Sequence, residues 1–180
     1  MSLAEAEAVW VISDLMPDGV TYVPTIHIGD DLAFPLEGDR AIAYATTVQR
    51  AAERAAYDEI VCAQLMELLK GDGQSVAEVV IKMRDQRPPL DDEATAPFTF
   101  EPFVSALTRE GGLFVSVHGK RLFQWSVADA RQHAGHVIQV LCGVELDAAY
   151  RTLLTETVGL KPETARVMVD NLQTHRKEHL

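Results

Sequence analysis

The sequence predicts an α+β protein in which two related β-β-β-α-α units follow each other along the chain. Short runs rich in β-branched residues occur in two groups, and a long helical pattern follows each group. A proline-rich acidic stretch, 87–97, separates the groups and reads as a linker. We therefore expect an N-terminal unit at 1–87, a linker at 88–97 and a C-terminal unit at 98–180, packed together as a pseudo-dimer.

The first unit is predicted from turn residues and hydrophobic spacing. Its strands are expected at 9–13, 20–28 and 32–36. Pro24 and Pro35 cannot donate to a strand ladder, so they favour edge strands or a bulge. Asp39 is suited to cap a long helix with one apolar stripe, and Ser75 to cap a shorter helix after it.

The second unit repeats this order. Its strands are expected at 103–108, 113–117 and 121–125, and its helices at 127–142, 147–158 and 162–176. Ser126 and Asp129 have the spacing of a capping box at the start of the first of these helices.

A few identical residues suggest that the two units arose by duplication. Gly29 and Leu32 match Gly119 and Leu122 at an offset of 90 residues. The tyrosines of "RAAYDEIV" and "DAAYRTLL" match at an offset of 93, which requires a gap. Two such units would meet at a groove or saddle, and that shape favours gripping a partner over enclosing a substrate.

Composition limits the possible functions. The chain has 180 residues, is 47% hydrophobic and carries a formal net charge of −11, values typical of a globular protein with a real core. No apolar run is long enough to span a bilayer, and the N-terminus carries acids where an export signal carries bases. We therefore expect a cytoplasmic protein without membrane association, in which Cys62 and Cys142 are reduced.

The charge favours a protein partner over nucleic acid, although a local basic patch would still permit nucleic-acid binding. Residues 1–90 hold 15 acids and 7 bases, so most of the acidity lies in the first half. Acidic groups on a rigid frame could also imitate nucleic acid toward an enzyme that handles it.

The segment 151–176 resembles a DNA-binding helix-turn-helix. With Gly159 at the turn, all the positions that this motif buries are apolar: Leu154, Val158, Leu160, Ala165 and Met168. Thr155 departs from the motif, which prefers a small alanine there. Base contacts would come from four residues: Thr164, Arg166, Asn171 and Gln173. Glu163 and Asp170 would repel phosphate, and an ordinary helical hairpin explains the same pattern.

Catalytic motifs give little support for an enzyme. His133 and His136 share a helical face, and Asp129 could complete a metal site with them. Ordinary exposed or hydrogen-bonded histidines explain the same spacing. Because the sequence contains no nucleophile motif and no glycine-rich phosphate loop, we expect neither enzymatic activity nor a cofactor.

Candidate contact residues for a protein partner lie in the predicted hairpins. Phe123 and Trp125 alternate with Gln124 and therefore point the same way, either into the core or toward a partner. Asp30 and Asp31 stand at an exposed turn, which explains their polarity by itself but also offers negative charge.

The stretch "SVHGKRLFQWSVADARQHAGHVIQVL", followed by "ELDAAYRTLLTETVGL", resembles the small accessory proteins of actinobacterial phages. The likeness covers mainly residues 113–176 and lies in alanine-, arginine- and valine-rich helices with a "VGL" turn. It has no defining motif and transfers no site residue. It implies a phage protein, made inside a host cell, that binds a host or phage macromolecule.

Overall fold

The computed structural model describes residues 9–70, 73–90 and 92–178. Its strands are β1 Val9–Leu15, β2 Tyr22–Ile28, β3 Leu32–Pro35, β4 Phe98–Val104, β5 Gly111–Val117 and β6 Lys120–Ser126. Its helices are α1 Arg40–Leu68, α2 Gly73–Asp85, α3 Asp92–Thr95, α4 Val127–Thr152 and α5 Pro162–Glu178. A π-helical turn, Leu153–Thr157, follows α4 directly. The acidic N-terminus considered above lies largely outside the described residues, as does Asp91 of the predicted linker.

The predicted α+β class and the repeated β-β-β-α-α order are confirmed. The described strands form two antiparallel three-stranded sheets, with the orders β1-β2-β3 and β4-β5-β6. The first two strands of each sheet pair in the same register, since Val9 faces Ile28 in one sheet and Phe98 faces Val117 in the other. Equivalent residues in these strands are 89 positions apart, the same separation as between Tyr44 and His133.

Helices α2 and α5 keep this offset of 89, since α2 begins at Gly73 and α5 at Pro162. Buried residues occur in matching pairs: Ala41 and Ala130, Ala45 and Ala134, Val48 and Val137, Asp58 and Asp147, Val76 and Ala165, Val80 and Val169. The tyrosine match suggested by the sequence is therefore wrong, since Tyr57 occupies the position equivalent to Leu146. Burial identifies the repeat better than sequence identity because the packing of each position is what both copies must keep.

Each compact unit of the molecule combines elements from both repeats. The central unit, Ile42–Gly135, combines most of α1 and α2 from the first repeat with the sheet of the second. The terminal unit, Glu7–Ala41 with His136–Leu180, combines the first sheet with the second half of α4 and with α5. The consecutive segments 1–87 and 98–180 thus describe the repeats, whereas the compact units divide the chain differently.

Hydrogen bonds within each unit illustrate this exchange. In the central unit, the Gly111 amide of β5 donates to Glu59 Oε2 of α1 at 2.8 Å. In the terminal unit, Gln173 Nε2 of α5 donates to the Ser13 carbonyl of β1 at 3.0 Å. A three-stranded sheet needs cover on its apolar face, and here residues of the other repeat provide that cover.

Several predicted element boundaries need correction. Strand β4 begins at Phe98, and residues 105–108, predicted as strand, form a turn. Helix α4 continues to Thr152, although two separate helices were expected. The predicted linker includes the short helix α3, and α2 begins at Gly73 rather than after Ser75. The capping box is confirmed, since Ser126 and Asp129 exchange side-chain and backbone hydrogen bonds.

Pro24 lies in β2, the middle strand of its sheet, so the expectation of an edge position fails there. The Pro24 carbonyl accepts a hydrogen bond from the Leu36 amide, just beyond the end of β3. The N and O atoms of a strand residue point to the same side. The missing N–H of Pro24 therefore faces the end of β3, where the ladder stops. Pro35 lies in β3, an edge strand, as predicted.

A buried carboxylate joins α1 and the end of α2 within the central unit. Asp58 of α1 is fully buried and accepts hydrogen bonds from Arg84 Nε at 2.8 Å and Arg87 Nη2 at 2.5 Å. The Arg87 guanidinium also lies over the Tyr57 ring, 5.5 Å from its centroid. This network fixes the end of α2 on α1, because a buried charge requires hydrogen-bonded partners.

Candidate functional site

The turns and connections of the terminal unit's sheet carry exposed carboxylates at both ends of the sheet, which we together call the acidic rim. Its members are Asp18 in the β1–β2 turn, Glu37 and Asp39 before α1, and, at the opposite end of β2 from Asp18, Asp30 and Asp31 in the β2–β3 turn. All five are exposed. Of these, the sequence predicts only Asp30 and Asp31 as contact residues for a partner. The signal for the others was present, because residues 9–41 contain six acids and the single base Arg40.

Asp18 is held in a fixed orientation by its own turn. Its carboxylate accepts hydrogen bonds from the Thr21 hydroxyl at 2.6 Å and from the amides of Thr21 and Val20 at 2.9 Å. The Thr21 hydroxyl and these two amides lower the pKa of Asp18 below its ordinary value. The acidic rim therefore keeps this negative charge well below neutral pH.

The equivalent part of the central unit is electrically balanced. Residues 98–130 contain three acids and three bases: Glu101, Glu110 and Asp129, and Arg109, Lys120 and Arg121. Arg121 pairs with Glu101 at 2.8 Å and lies over the Phe114 ring at 3.6 Å. Two sheets with matching strands and register thus differ strongly in charge, so the fold itself does not require the acidic rim.

The outward face of the terminal unit's sheet carries an aromatic ring, that of Trp10, and an imidazole, that of His27. Trp10 of β1 stacks on His27 of β2 with ring centroids 5.6 Å apart and planes 5° from parallel. His27 Nε2 lies 2.7 Å from Asp14 Oδ2. Their side chains are partly exposed, at 21% for His27 and 35% for Asp14. This arrangement offers a flat apolar surface beside a carboxylate.

Phe123 and Trp125 do point the same way, but they lie in an aromatic cluster of the central unit. Phe123 is buried, and its ring centroid lies 5.2 Å from that of Trp125. Trp125 also contacts His133 at 4.5 Å and stacks on Phe100 at 6.0 Å. Phe123 is therefore a core residue rather than an exposed contact, because β6 turns this face toward the interior of its unit. Trp125 is partly exposed.

The helix-turn-helix segment packs differently from the DNA-binding motif that it resembles. Leu154 and Ala165 are buried as the motif requires, whereas Val158 is 58% and Met168 38% exposed. Helix α5 uses Ala165, Val169 and the half-buried Gln173 as its inward stripe. This stripe faces the sheet of the terminal unit, where Gln173 donates to the Ser13 carbonyl, and does not form the core of a compact helical hairpin.

The predicted base-reading residues of α5 also separate in the structure. Gln173 donates to the Ser13 carbonyl and to Asp147 Oδ2, both at 3.0 Å, so its amide is used inside the unit. Arg166 lies 3.8 Å from Asp170 on the same helix. Thr164 and Asn171 are exposed. Since Gln173 points inward, only part of the predicted set could contact a common ligand.

The two candidate metal ligands occupy different environments. His133 is buried, and its Nε2 lies 3.2 Å from the Tyr44 hydroxyl, whereas His136 is exposed. Asp129 accepts hydrogen bonds from Ser126 in the capping box. Within the described ranges, no three histidine, cysteine or acidic side chains are grouped so that they could hold a metal ion.

Comparison of the chain with family models, curated proteins and solved structures finds no match. Among the described residues, no helix is both long and apolar enough to cross a membrane.

Proposed function

We propose that this chain is a non-enzymatic binding protein whose partner is a protein with a basic surface. The Asp30 and Asp31 end of the acidic rim makes the contact. The observation that carries the proposal is the charge difference between two sheets of the same topology, since residues 9–41 hold six acids and one base while residues 98–130 hold equal numbers.

The position of the charges supports a contact role. All five rim carboxylates are exposed and lie in turns or connections, and such segments carry binding residues on a rigid scaffold. Unneutralised charge destabilises a compact unit by self-repulsion and speeds association with an oppositely charged partner. A basic protein surface, including one that otherwise binds nucleic acid, has the matching charge. The resemblance to phage accessory proteins suggests that an actinobacterial cell supplies the partner.

The proposal is tested by affinity capture and titration of the captured protein. Wild-type chain and an Asp30→Asn/Asp31→Asn variant are immobilised and exposed to an actinobacterial lysate, and a protein retained only by the wild type is purified. We expect its affinity for the variant to be about tenfold lower and the wild-type affinity to fall with rising salt, since rim charges steer association.

The control is a Glu101→Gln/Glu110→Gln variant, which also removes two negative charges, but from the electrically balanced region of the central unit's sheet. We expect it to bind the partner as the wild type does. Equal weakening by both variants would show that net charge alone matters. If binding depended neither on salt nor on Asp30 and Asp31, the acidic rim would be ruled out as the contact surface.

A further inference from the structure

Three arginines of the central unit meet around Asp58, and we call them the arginine cluster: Arg54 of α1, Arg84 of α2, and Arg87 just beyond α2. Arg84 and Arg87 each donate to one oxygen of Asp58, so both guanidinium groups lie against the same carboxylate. Arg54 Nη2 donates to the carbonyl of Pro88, the residue after Arg87, at 2.7 Å. Hydrogen bonds therefore bring three guanidinium groups together where α1 meets the end of α2.

The arginine cluster carries more positive charge than its hydrogen bonds neutralise. Among the described residues, Asp58 supplies the only carboxylate that accepts hydrogen bonds from these three arginines. Glu53, next to Arg54 in the chain, forms its ion pair with α4 instead. Burial lowers the pKa of Arg54, and the cations Arg87 and Arg50 lower it further. Cations crowded in this way are stabilised by a further anion.

The arginine cluster is accessible from solvent. The side chains of Arg84 and Arg87 are 33% and 18% exposed, and Arg54 is half-buried. Arg50, one helical turn before Arg54 on the same face of α1, is exposed. Within the described chain, Arg84 and Arg87 each use a single N–H in the hydrogen bond to Asp58. Their remaining N–H groups are therefore available to an acceptor that approaches from solvent.

The other repeat builds the same junction with less positive charge. At the offset of 89 seen between the repeats, Asp58 corresponds to Asp147, Arg84 to Gln173 and Arg54 to Gly143. Asp147 is fully buried, as Asp58 is, and accepts a hydrogen bond from the neutral amide of Gln173 at 3.0 Å. An amide thus serves at the position of Arg84, and the position of Arg54 needs no side chain. The cations at these two positions are specific to the central unit, so the fold itself does not require them.

The chemistry of the arginine cluster indicates its ligand. A guanidinium group forms paired hydrogen bonds with the oxygens of a carboxylate or a phosphate. Three guanidinium groups and one carboxylate leave an excess of two positive charges, which matches the charge of a phosphate monoester at neutral pH better than that of a second carboxylate. The chain has a net charge of −11, which favours a single phosphate group over the extended phosphate backbone of a nucleic acid.

We propose that Arg54, Arg84 and Arg87 bind the phosphate group of a small ligand. The Tyr57 ring is 56% exposed and lies 5.5 Å from the Arg87 guanidinium, so it is placed to contact an organic group esterified to that phosphate. The site is independent of the acidic rim and of its proposed protein partner.

The experiment titrates the ¹⁵N-labelled full chain with sodium phosphate, and separately with sodium acetate, at neutral pH and constant ionic strength. We expect phosphate to shift the amide resonances of Arg84 and Arg87 with a saturable curve, and acetate to bind about tenfold more weakly or less. Arg84→Gln and Arg54→Gln should each weaken phosphate binding about tenfold or more, since each removes a charged donor. Arg121→Gln, which removes a cation of β6 that pairs with Glu101, should bind phosphate as the wild type does.

The variants are chosen to keep the fold. Arg84→Gln introduces the residue that the terminal unit has at this position, and Arg54→Gln leaves both described hydrogen bonds of Asp58 in place. Adenosine monophosphate, titrated in the same way, identifies the source of the phosphate group. Tighter binding than that of inorganic phosphate, reduced by Tyr57→Leu, would support a phosphate ester, and equal binding would support free phosphate. The proposal would be overturned if neither compound gave a saturable shift, if acetate bound as tightly as phosphate, or if Arg121→Gln weakened binding as much as Arg84→Gln and Arg54→Gln do.

Discussion

Replacing Asp58 by asparagine should destabilise the central unit more than any exposed charge change. The substitution keeps the side-chain volume and one acceptor oxygen, but it removes the negative charge between Arg84 and Arg87. Asp58 is fully buried, whereas the arginine side chains are 33% and 18% exposed. Both cations therefore lose their partner while only partly accessible to water.

The magnitude follows from this geometry. Removing one partner of a buried ion pair destabilises a protein by about 3–5 kcal/mol. The partial exposure of Arg84 and Arg87 and the remaining amide oxygen at position 58 reduce the effect, so we expect a loss of about 3 kcal/mol, toward the lower end of that range.

Tryptophan fluorescence allows the measurement to be made on one unit. The chain has two tryptophans, of which Trp125 belongs to the central unit and Trp10 to the terminal unit. In a Trp10→Phe background, urea unfolding followed by Trp125 emission gives the free energy of unfolding of the central unit.

The matched control is Glu53→Gln, which makes the same chemical change in the exposed pair of Glu53 with Arg131. Side chains of this pair are 52% and 46% exposed, so its loss should change the free energy of unfolding by about 0.5 kcal/mol or less. If Asp58→Asn changes it no more than Glu53→Gln does, the reasoning about the buried carboxylate is wrong.

Four further substitutions test local stability. Gly135→Ala should stabilise the chain by about 1 kcal/mol, because Gly135 is helical and an added Cβ meets no atom within 4 Å. Gly111→Ala should destabilise it in the same chemical unfolding experiment, because an added Cβ would lie 2.6 Å from the Ala55 carbonyl oxygen. If both substitutions changed the free energy of unfolding in the same direction, this packing argument would be contradicted. Ser126→Ala should cost about 1 kcal/mol through loss of the capping box at α4, and unchanged thermal unfolding would refute this. Because the folded-state pKa of Asp18 is lowered, its contribution is present above the unfolded pKa and lost as pH falls through the folded value. An NMR titration should place the Asp18 midpoint below 3.8, and Asp18→Asn should reduce the acid sensitivity of unfolding.

The order of elements could be predicted from the sequence because it depends on local patterns. Alternating β-branched runs, glycine turns and the Ser126 capping box act within a few residues of the chain. Short-range patterns gave wrong element boundaries where packing against distant residues decides the structure. Residues 105–108 are apolar enough for a strand but form a turn, and α4 runs through the expected break to Thr152.

The residues of the candidate sites also differ in whether local sequence patterns could identify them. The sequence identified Asp30 and Asp31, since turn residues and net charge are local properties. It did not identify the pairing of His27 with Asp14, because these residues come together only through the register of β1 and β2. It also assigned Gln173 to an exposed face, whereas the structure uses its amide between β1 and α4.

Local residue patterns are sufficient to predict the class, the repeated order of strands and helices, and the concentration of acid in the first half. The exchange of sheets and helices between the two repeats, and the offset of 89 positions between equivalent residues, become visible in the folded chain alone. An apolar stripe on a helix specifies that it must be covered but not which sheet covers it. Detailed packing, such as the close approach of α1 to Gly111 and of Gln173 to Ser13, makes that choice.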